Sequence, residues 1–331
     1  MNPAADTIRT SDTPPETLHT NRPAWMQAKE RGSDFWLRVM TWLSLLVGRA
    51  CTRPIVYGIA LYFTLFARNA RYASRDYLQR CLGRPPRWRD LYRHILVFSS
   101  TIHDRIFLLN NCFDRFDVQA FGTDSLHADY NAGKGILLLG AHLGSFEVLR
   151  ALGRTSPNFR MHMAMYPENA RRINRALSAI NPQASQEIIA LGTLEAMLAI
   201  SGKLDEGAYV GILADRAIES EGAAGAAASK STGPSDHREL PFLGMPARFP
   251  VGPFRLATLM KRPVYFMTGV YRGGNRYEIH FEKLEDFHTP TSCRRDAQID
   301  LLMKKYVGAL ERNCRSNPFN WFNFYDFWHA N

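Results

Sequence analysis

The chain has 331 residues, 46% hydrophobic and 12% aromatic, enough to bury a sizeable core in one large domain or two small ones. Its formal charge of +10 belongs to the N-terminal third: from Arg22 to Arg105 there are fifteen Lys/Arg against five Asp/Glu. Five scattered cysteines, odd in number and without a C-x-x-C pair, argue against a disulfide framework or a zinc site; reduced thiols and a cytosolic-facing body are expected, and no metal or other cofactor is implied.

Residues 1 to 24 are polar and Pro/Thr-rich, lack the apolar core of a secretory signal, and are expected to form a disordered tail. Two apolar stretches follow, WLRVMTWLSLLVG (36 to 48) and IVYGIALYFTLFA (55 to 67), interrupted by Arg49, Arg53 and Pro54. No run reaches the ~18 residues of an unbroken membrane span. Two short apolar helices flanked by arginines fit an interfacial anchor on an anionic cytoplasmic leaflet. A single tilted span with snorkelling arginines, or buried core helices with solvated arginines, are the alternatives. Nucleic acid is disfavoured, because the arginines interleave with apolar runs and no nucleic-acid-reading motif occurs. WRDLYRHILVFSSTIHDRIFLL carries apolar residues at three-and-four spacing and predicts a helix over about 87 to 112, behind the Arg84-Pro85-Pro86 loop. Residues 25 to 112 are therefore expected to form a membrane-associating helical region.

The punctuation then changes. NAGKGILLLGAH predicts a buried strand ending at Gly140 to His142, and SFEVLRALG a short helix with Ser145 as a potential N-cap. FRMHMAMY, EIIALG and AYVGILAD predict further strands, separated by the helical ARRINRALSAI and TLEAMLAISGKLDEG. Strands alternating with helices predict an α/β domain over 113 to 331, with a largely parallel central sheet flanked by helices. RPVYFMTGVYRGG and NRYEIHFEKLE predict a β-hairpin, followed by a helix around 294 to 315. Residues 219 to 238 are low in complexity and are expected to form a flexible loop.

Ligands of such sheets bind beyond the carboxyl ends of the strands. His142 falls at such an end and Glu147 in the turn that follows. A bend at Gly144 would let the carboxylate approach the imidazole, as a general-base dyad in which the acid fixes the tautomer and stabilises the imidazolium. The spacing H-x-x-x-x-E is weak by itself: His142 as a hydrogen-bonded strand-end residue and Glu147 as a surface charge at a helix N-terminus is the alternative. Ser145 is less suited to be a nucleophile, since G-x-S-x-G is absent, and H-E-x-x-H does not occur.

Several ordered pieces resemble the lysophospholipid acyltransferase superfamily and, within it, the lipid A biosynthesis lauroyl/myristoyl acyltransferases. GILLLGAHLGSFE is similar to that family's strand and H-x-x-x-x-(D/E) motif, LDEGAYVGILADR to its second block, and PFLGMPARFPVGPFRLATLMKRPVYFM to a later one. The resemblance covers roughly residues 25 to 328. It implies a membrane-associated O-acyltransferase at the cytoplasmic face of a bacterial inner membrane, with acyl carrier protein (or acyl-CoA) as donor and a lipid or glycolipid hydroxyl as acceptor. His142 would be the base, oriented by Glu147, and Gly144, Ser145 and Asp215 would belong to the site. Arg216 and Arg248 would contact a polar head group or phosphate, and Arg171 and Arg172 fall where the family often carries basic residues. The ending NPFNWFNFYDFW (317 to 328) departs from the Trp/Arg-rich ending of the lipid A enzymes and resembles acyltransferases of aryl-polyene or xanthomonadin-type pigment pathways. Physically it is an aromatic cluster suited to a membrane interface, a crevice wall or core packing. The rival functions are a non-catalytic membrane-binding protein and a thioesterase or lipase using the same pocket.

Overall fold

The structure, a computed structural model, describes residues 38–151, 160–165, 188–216, 237–287 and 294–328, with single positions between 174 and 181. The expected tail lies outside these residues. So does the expected loop up to 236, residues 237 and 238 opening a strand.

Four helices come first: α1 (Arg38–Val47), α2 (Arg49–Phe66), α3 (Arg68–Leu82) and α4 (Trp88–Leu109). Strand β1 (Asp117–Phe121) and helix α5 (Thr123–Asn131) lead to β2 (Ile136–Gly144). Then come β3 (Met161–Met165), β4 (Ile188–Ala190), α6 (Leu194–Asp205) and β5 (Tyr209–Leu213). A two-stranded hairpin, β6 (His237–Phe242) and β7 (Met245–Pro250), precedes α7 (Gly252–Met260). Strands β8 (Val264–Gly273) and β9 (Arg276–Glu285) and helix α8 (Arg295–Ser316) complete the described elements.

Seven strands form one sheet in the order β1-β9-β8-β2-β5-β3-β4. Strands β8, β2, β5, β3 and β4 run parallel, while β9 returns antiparallel to β8 and β1 lies parallel to β9. The fold is thus the expected mixed α/β class. The ILLL run is apolar throughout because both faces of β2 are covered. Leu137 and Leu139 enter a core with Phe254, Tyr306 and Leu310, while Ile136 and Leu138 face Phe107, Leu126 and Val148. The expected strands, hairpin and final helix are present; β1 and the β6–β7 hairpin carried too little apolar alternation to be predicted. SFEVLRALG departs from its expected helix: the described part is a 3₁₀ segment, Glu147–Ala151.

The N-terminal helices correct one expectation. Arg49 and Arg53 do not flank the apolar segments as leaflet contacts; they turn into the protein. Arg49 donates to Asp104 through Nε (2.7 Å) and Nη2 (2.9 Å), and Arg53 donates to the Tyr271 hydroxyl. Asp104 also accepts from the Tyr277 hydroxyl at 2.9 Å. Burial would push its carboxyl up, but His103, Arg49 and Tyr277 together hold it below the usual range. This cluster fastens α2 and α4 to the β8–β9 hairpin. The face that α2 buries is Thr52, Val56, Ala60 and Thr64, mostly small or polar, whereas Trp42, Leu46, Tyr62, Phe66 and Tyr72 are each more than half exposed. Among the described residues no single helix is long and apolar enough to cross a membrane. α2 and α3 reach that length and composition only together, bent by 91°.

Candidate functional site

The site is built on an irregularity in β2. Gly140 pairs with Met267 and Gly144 with Gly269, so β2 spends four residue steps where β8 spends two. The surplus bulges out of the ladder, and such bulges re-aim side chains. Gly144 closes the bulge at φ +78°, where a Cβ would stand 1.9 Å from Gly269 O; Ser145 N–H then donates to that same carbonyl at 2.7 Å. Only glycine fits there.

The freed backbone of the bulge finds partners in the C-terminal segment. Phe322 N–H donates to His142 O (2.7 Å), Gly144 N–H donates to Asn320 O (2.8 Å), and Leu143 bridges Trp321 antiparallel. Across β5, Gly140 is in register with Leu213, which places Asp215, two residues on, opposite His142. His142 Nδ1 lies 2.9 Å from Asp215 Oδ1, and the His142 backbone N–H donates to Oδ2 at 3.0 Å. Trp321 Nε1 donates to the same Oδ2, also at 3.0 Å. A carboxylate can only accept, so His142 Nδ1 carries the proton in this contact and Nε2 is left as the basic nitrogen. Asp215 is 0% exposed. Burial pushes its carboxyl up, but the neighbouring His142, its hydrogen bonds and the Arg216 charge outweigh burial and hold it well below the usual range.

Trp321 is itself held. His94, on α4, lies 2.8 Å from the Trp321 carbonyl through Nε2 and 2.8 Å from the Ser74 hydroxyl through Nδ1. The carbonyl must accept, so Nε2 carries the proton and Nδ1 accepts from Ser74. Full burial, only partly offset by the carbonyl contact, pulls the pKa of His94 down to about 4.

A cavity of about 390 Å³ opens beside His142. Its polar lining includes Thr101, Arg105, His142, Ser145 and Arg216; its apolar wall includes Phe98, Ile102, Phe146, Phe322 and Phe324. Of the residues singled out in the sequence, His142, Gly144, Ser145 and Arg216 meet at this cavity. Arg216 donates to Phe322 O at 2.6 Å and lies over the Tyr325 ring. Asp215 sits behind His142 and does not line the cavity. Arg248 is elsewhere, on β7, exposed and 3.9 Å from Glu239. Arg171 and Arg172 fall outside the described residues.

The expected pairing of His142 with Glu147 is replaced. The His142 ring bonds Asp215, while Glu147 accepts from the Ser145 hydroxyl (3.1 Å) and pairs with Arg105 (2.8 Å). The strand-end aspartate reaches His142 because β5 neighbours β2, and its carboxylate is already saturated by the bulge and Trp321. The C-terminal aromatics are crevice wall and core in one: Phe322, Phe324 and Tyr325 line the cavity, while Trp321 and Phe327 pack on Phe242.

A buried acid, an oriented histidine and an apolar cavity at the end of a parallel strand fit acyl transfer, and comparison with known families agrees. Residues 26–330 match the family described as bacterial lipid A biosynthesis acyltransferase. The chain belongs to this family. It is therefore an acyltransferase, and its family is typically membrane-associated. No individual curated protein matches it.

Proposed function

We propose that this acyltransferase moves a fatty acyl group from a thioester on acyl carrier protein to a hydroxyl of a lipid or glycolipid acceptor. The site of action would be the cytoplasmic face of the bacterial inner membrane. The observation that carries the proposal is the His142 ring, bound through Nδ1 to a buried carboxylate and lining the cavity. A hydroxyl is a poor nucleophile at neutral pH and needs a base within hydrogen-bond reach. His142 Nε2 takes the acceptor's proton as its oxygen bonds to the thioester carbon. The carbonyl pair moves onto oxygen, then returns as the C–S bond breaks, and the thiolate leaves with the proton from His142. Asp215 takes over the orienting role expected of Glu147, stabilising the imidazolium formed in the first step. The aromatic and aliphatic wall suits an acyl chain. The exposed apolar face of α1 and α2, with Arg68, Arg75, Arg87 and Arg89 exposed nearby in the chain, supports docking on an anionic bilayer. The basic-free ending NPFNWFNFYDFW favours an acceptor other than lipid A, of the aryl-polyene or xanthomonadin type.

The test is to incubate the protein in anionic vesicles with acyl carrier protein thioesters or acyl-CoA, add lipid extract, and follow products by mass spectrometry. One acyl ester should appear per thiol released, and His142→Ala should lower the rate by orders of magnitude. Undiminished turnover in that variant would remove His142 from the mechanism. Stoichiometric free fatty acid without acceptor would make the protein a thioesterase instead.

A further inference from the structure

Glu147 makes its contacts away from His142, and its surroundings indicate what it does instead. It is only 8% exposed, and both of its oxygens are engaged: Oε2 with the Ser145 hydroxyl, Oε1 with Arg105 Nε. The Arg105 contact is a charge pair rather than an aligned hydrogen bond. A carboxylate this deep needs a cation beside it, so the two side chains hold each other. Arg105 projects from α4 with Nε buried, yet its side chain is 31% exposed and lines the cavity beside His142 and Ser145. A guanidinium carries five N–H donors in a rigid fork. Among the described residues, Glu147 is the group that pairs with it, and the outer donors are left to the cavity. Among the described residues the lining carries two guanidiniums and no carboxylate, since Glu147 and Asp215 stand behind the wall. Arg216 is already engaged with Phe322 O and Tyr325.

We infer that Arg105 is the cavity's contact for an anionic oxygen, and that Glu147 is a positioning residue that holds the Arg105 guanidinium rather than orienting the base. This rests on the acyl-transfer reading above. Two oxygens of that reaction have the required chemistry: the thioester oxygen as it becomes an oxyanion in the tetrahedral state, and a phosphate or carboxylate on the acceptor's head group.

The experiment measures kcat, acceptor KM and pH profile for Arg105→Ala, Arg105→Lys, Glu147→Gln and the Arg105→Ala/Glu147→Gln double variant. The double variant removes both charges, so no unpaired carboxylate is left buried and the folding of the site is protected. An oxyanion contact lowers kcat in Arg105→Ala by about 10²–10³-fold with KM unchanged. A head-group contact raises acceptor KM by about tenfold or more with kcat nearly kept. In both cases the pH profile keeps its shape, added guanidinium ion restores part of the Arg105→Ala activity but none to His142→Ala, and Glu147→Gln adds nothing to Arg105→Ala. The inference is overturned by wild-type kinetics in both Arg105→Ala and the double variant, by failure of guanidinium rescue, or by a pH profile that moves in Glu147→Gln. Wild-type kinetics in Arg105→Ala beside an inactive His142→Ala sinks this inference alone. A fully active His142→Ala sinks the acyl-transfer reading itself.

Discussion

Replacing Asp215 by asparagine should disable the base while leaving the fold nearly intact, and the hydrogen bonds indicate how. Oδ2 accepts two N–H groups, from the His142 backbone and from Trp321, each at 3.0 Å. An asparagine must keep its carbonyl oxygen at that position, so its NH₂ is forced toward His142 Nδ1. Nδ1 must then accept, the ring proton moves to Nε2, and the nitrogen facing the cavity turns from base to donor. The charge is lost as well. Unit charges about 4 Å apart interact by about 4 kcal/mol at an effective dielectric constant of about 20. At about 1.36 kcal/mol per decade, losing that stabilisation of the imidazolium slows acyl transfer by about three decades before the tautomer change is counted. The assay is single-turnover transfer from a radiolabelled acyl thioester, with thermal unfolding as the control for folding. Activity within tenfold of wild type in a folded Asp215→Asn protein would refute the assignment of Asp215 as the orienting acid.

Two further outcomes follow from the same network. Trp321→Phe keeps the ring packed on Tyr77 and Phe242 but removes one charge-assisted hydrogen bond to Asp215, a loss of about 1.5–3 kcal/mol; kcat should fall by roughly one to two decades, with a matching drop in melting temperature. His94 binds its proton at about 4 when folded, against about 6.5 when unfolded, so the unfolded chain takes up more protons between those values. Its part of the stability is complete above about pH 6.5 and declines by about 3 kcal/mol as pH falls toward 4, a slope that melting curves should show in wild type and lack in His94→Gln.

Much of the architecture was legible because the chain writes it locally. The ILLL run is apolar at every position, as a strand covered on both faces must be, and the glycines of GAHLG announce a bend where only Gly144 fits. The final helix, too, has its apolar residues at three-and-four spacing. What sequence could not supply was adjacency. Glu147 is near His142 in the chain, but the ring's partner lies on β5, and nothing local says that β5 rather than β3 neighbours β2. The one available signal was an acidic residue ending the AYVGILAD strand. Arg49 and Arg53 misled for a related reason: an arginine beside an apolar run looks the same whether it meets a phospholipid or a buried Asp104. The role of Trp321 depends on a two-residue surplus in β2 that leaves no mark in composition.

The site joins parts of the chain that are far apart. His142 meets Asp215 across 73 positions, Trp321 meets Asp215 across 106, and His94 meets Trp321 across 227. Closing such long loops costs entropy that only the finished contacts offset, so these contacts are expected to form together and late in folding. The full network is complete only when α4, β2, β5 and the segment at 320 to 322 are all in place. Recovery of full activity after dilution from denaturant should therefore lag behind recovery of helix and sheet.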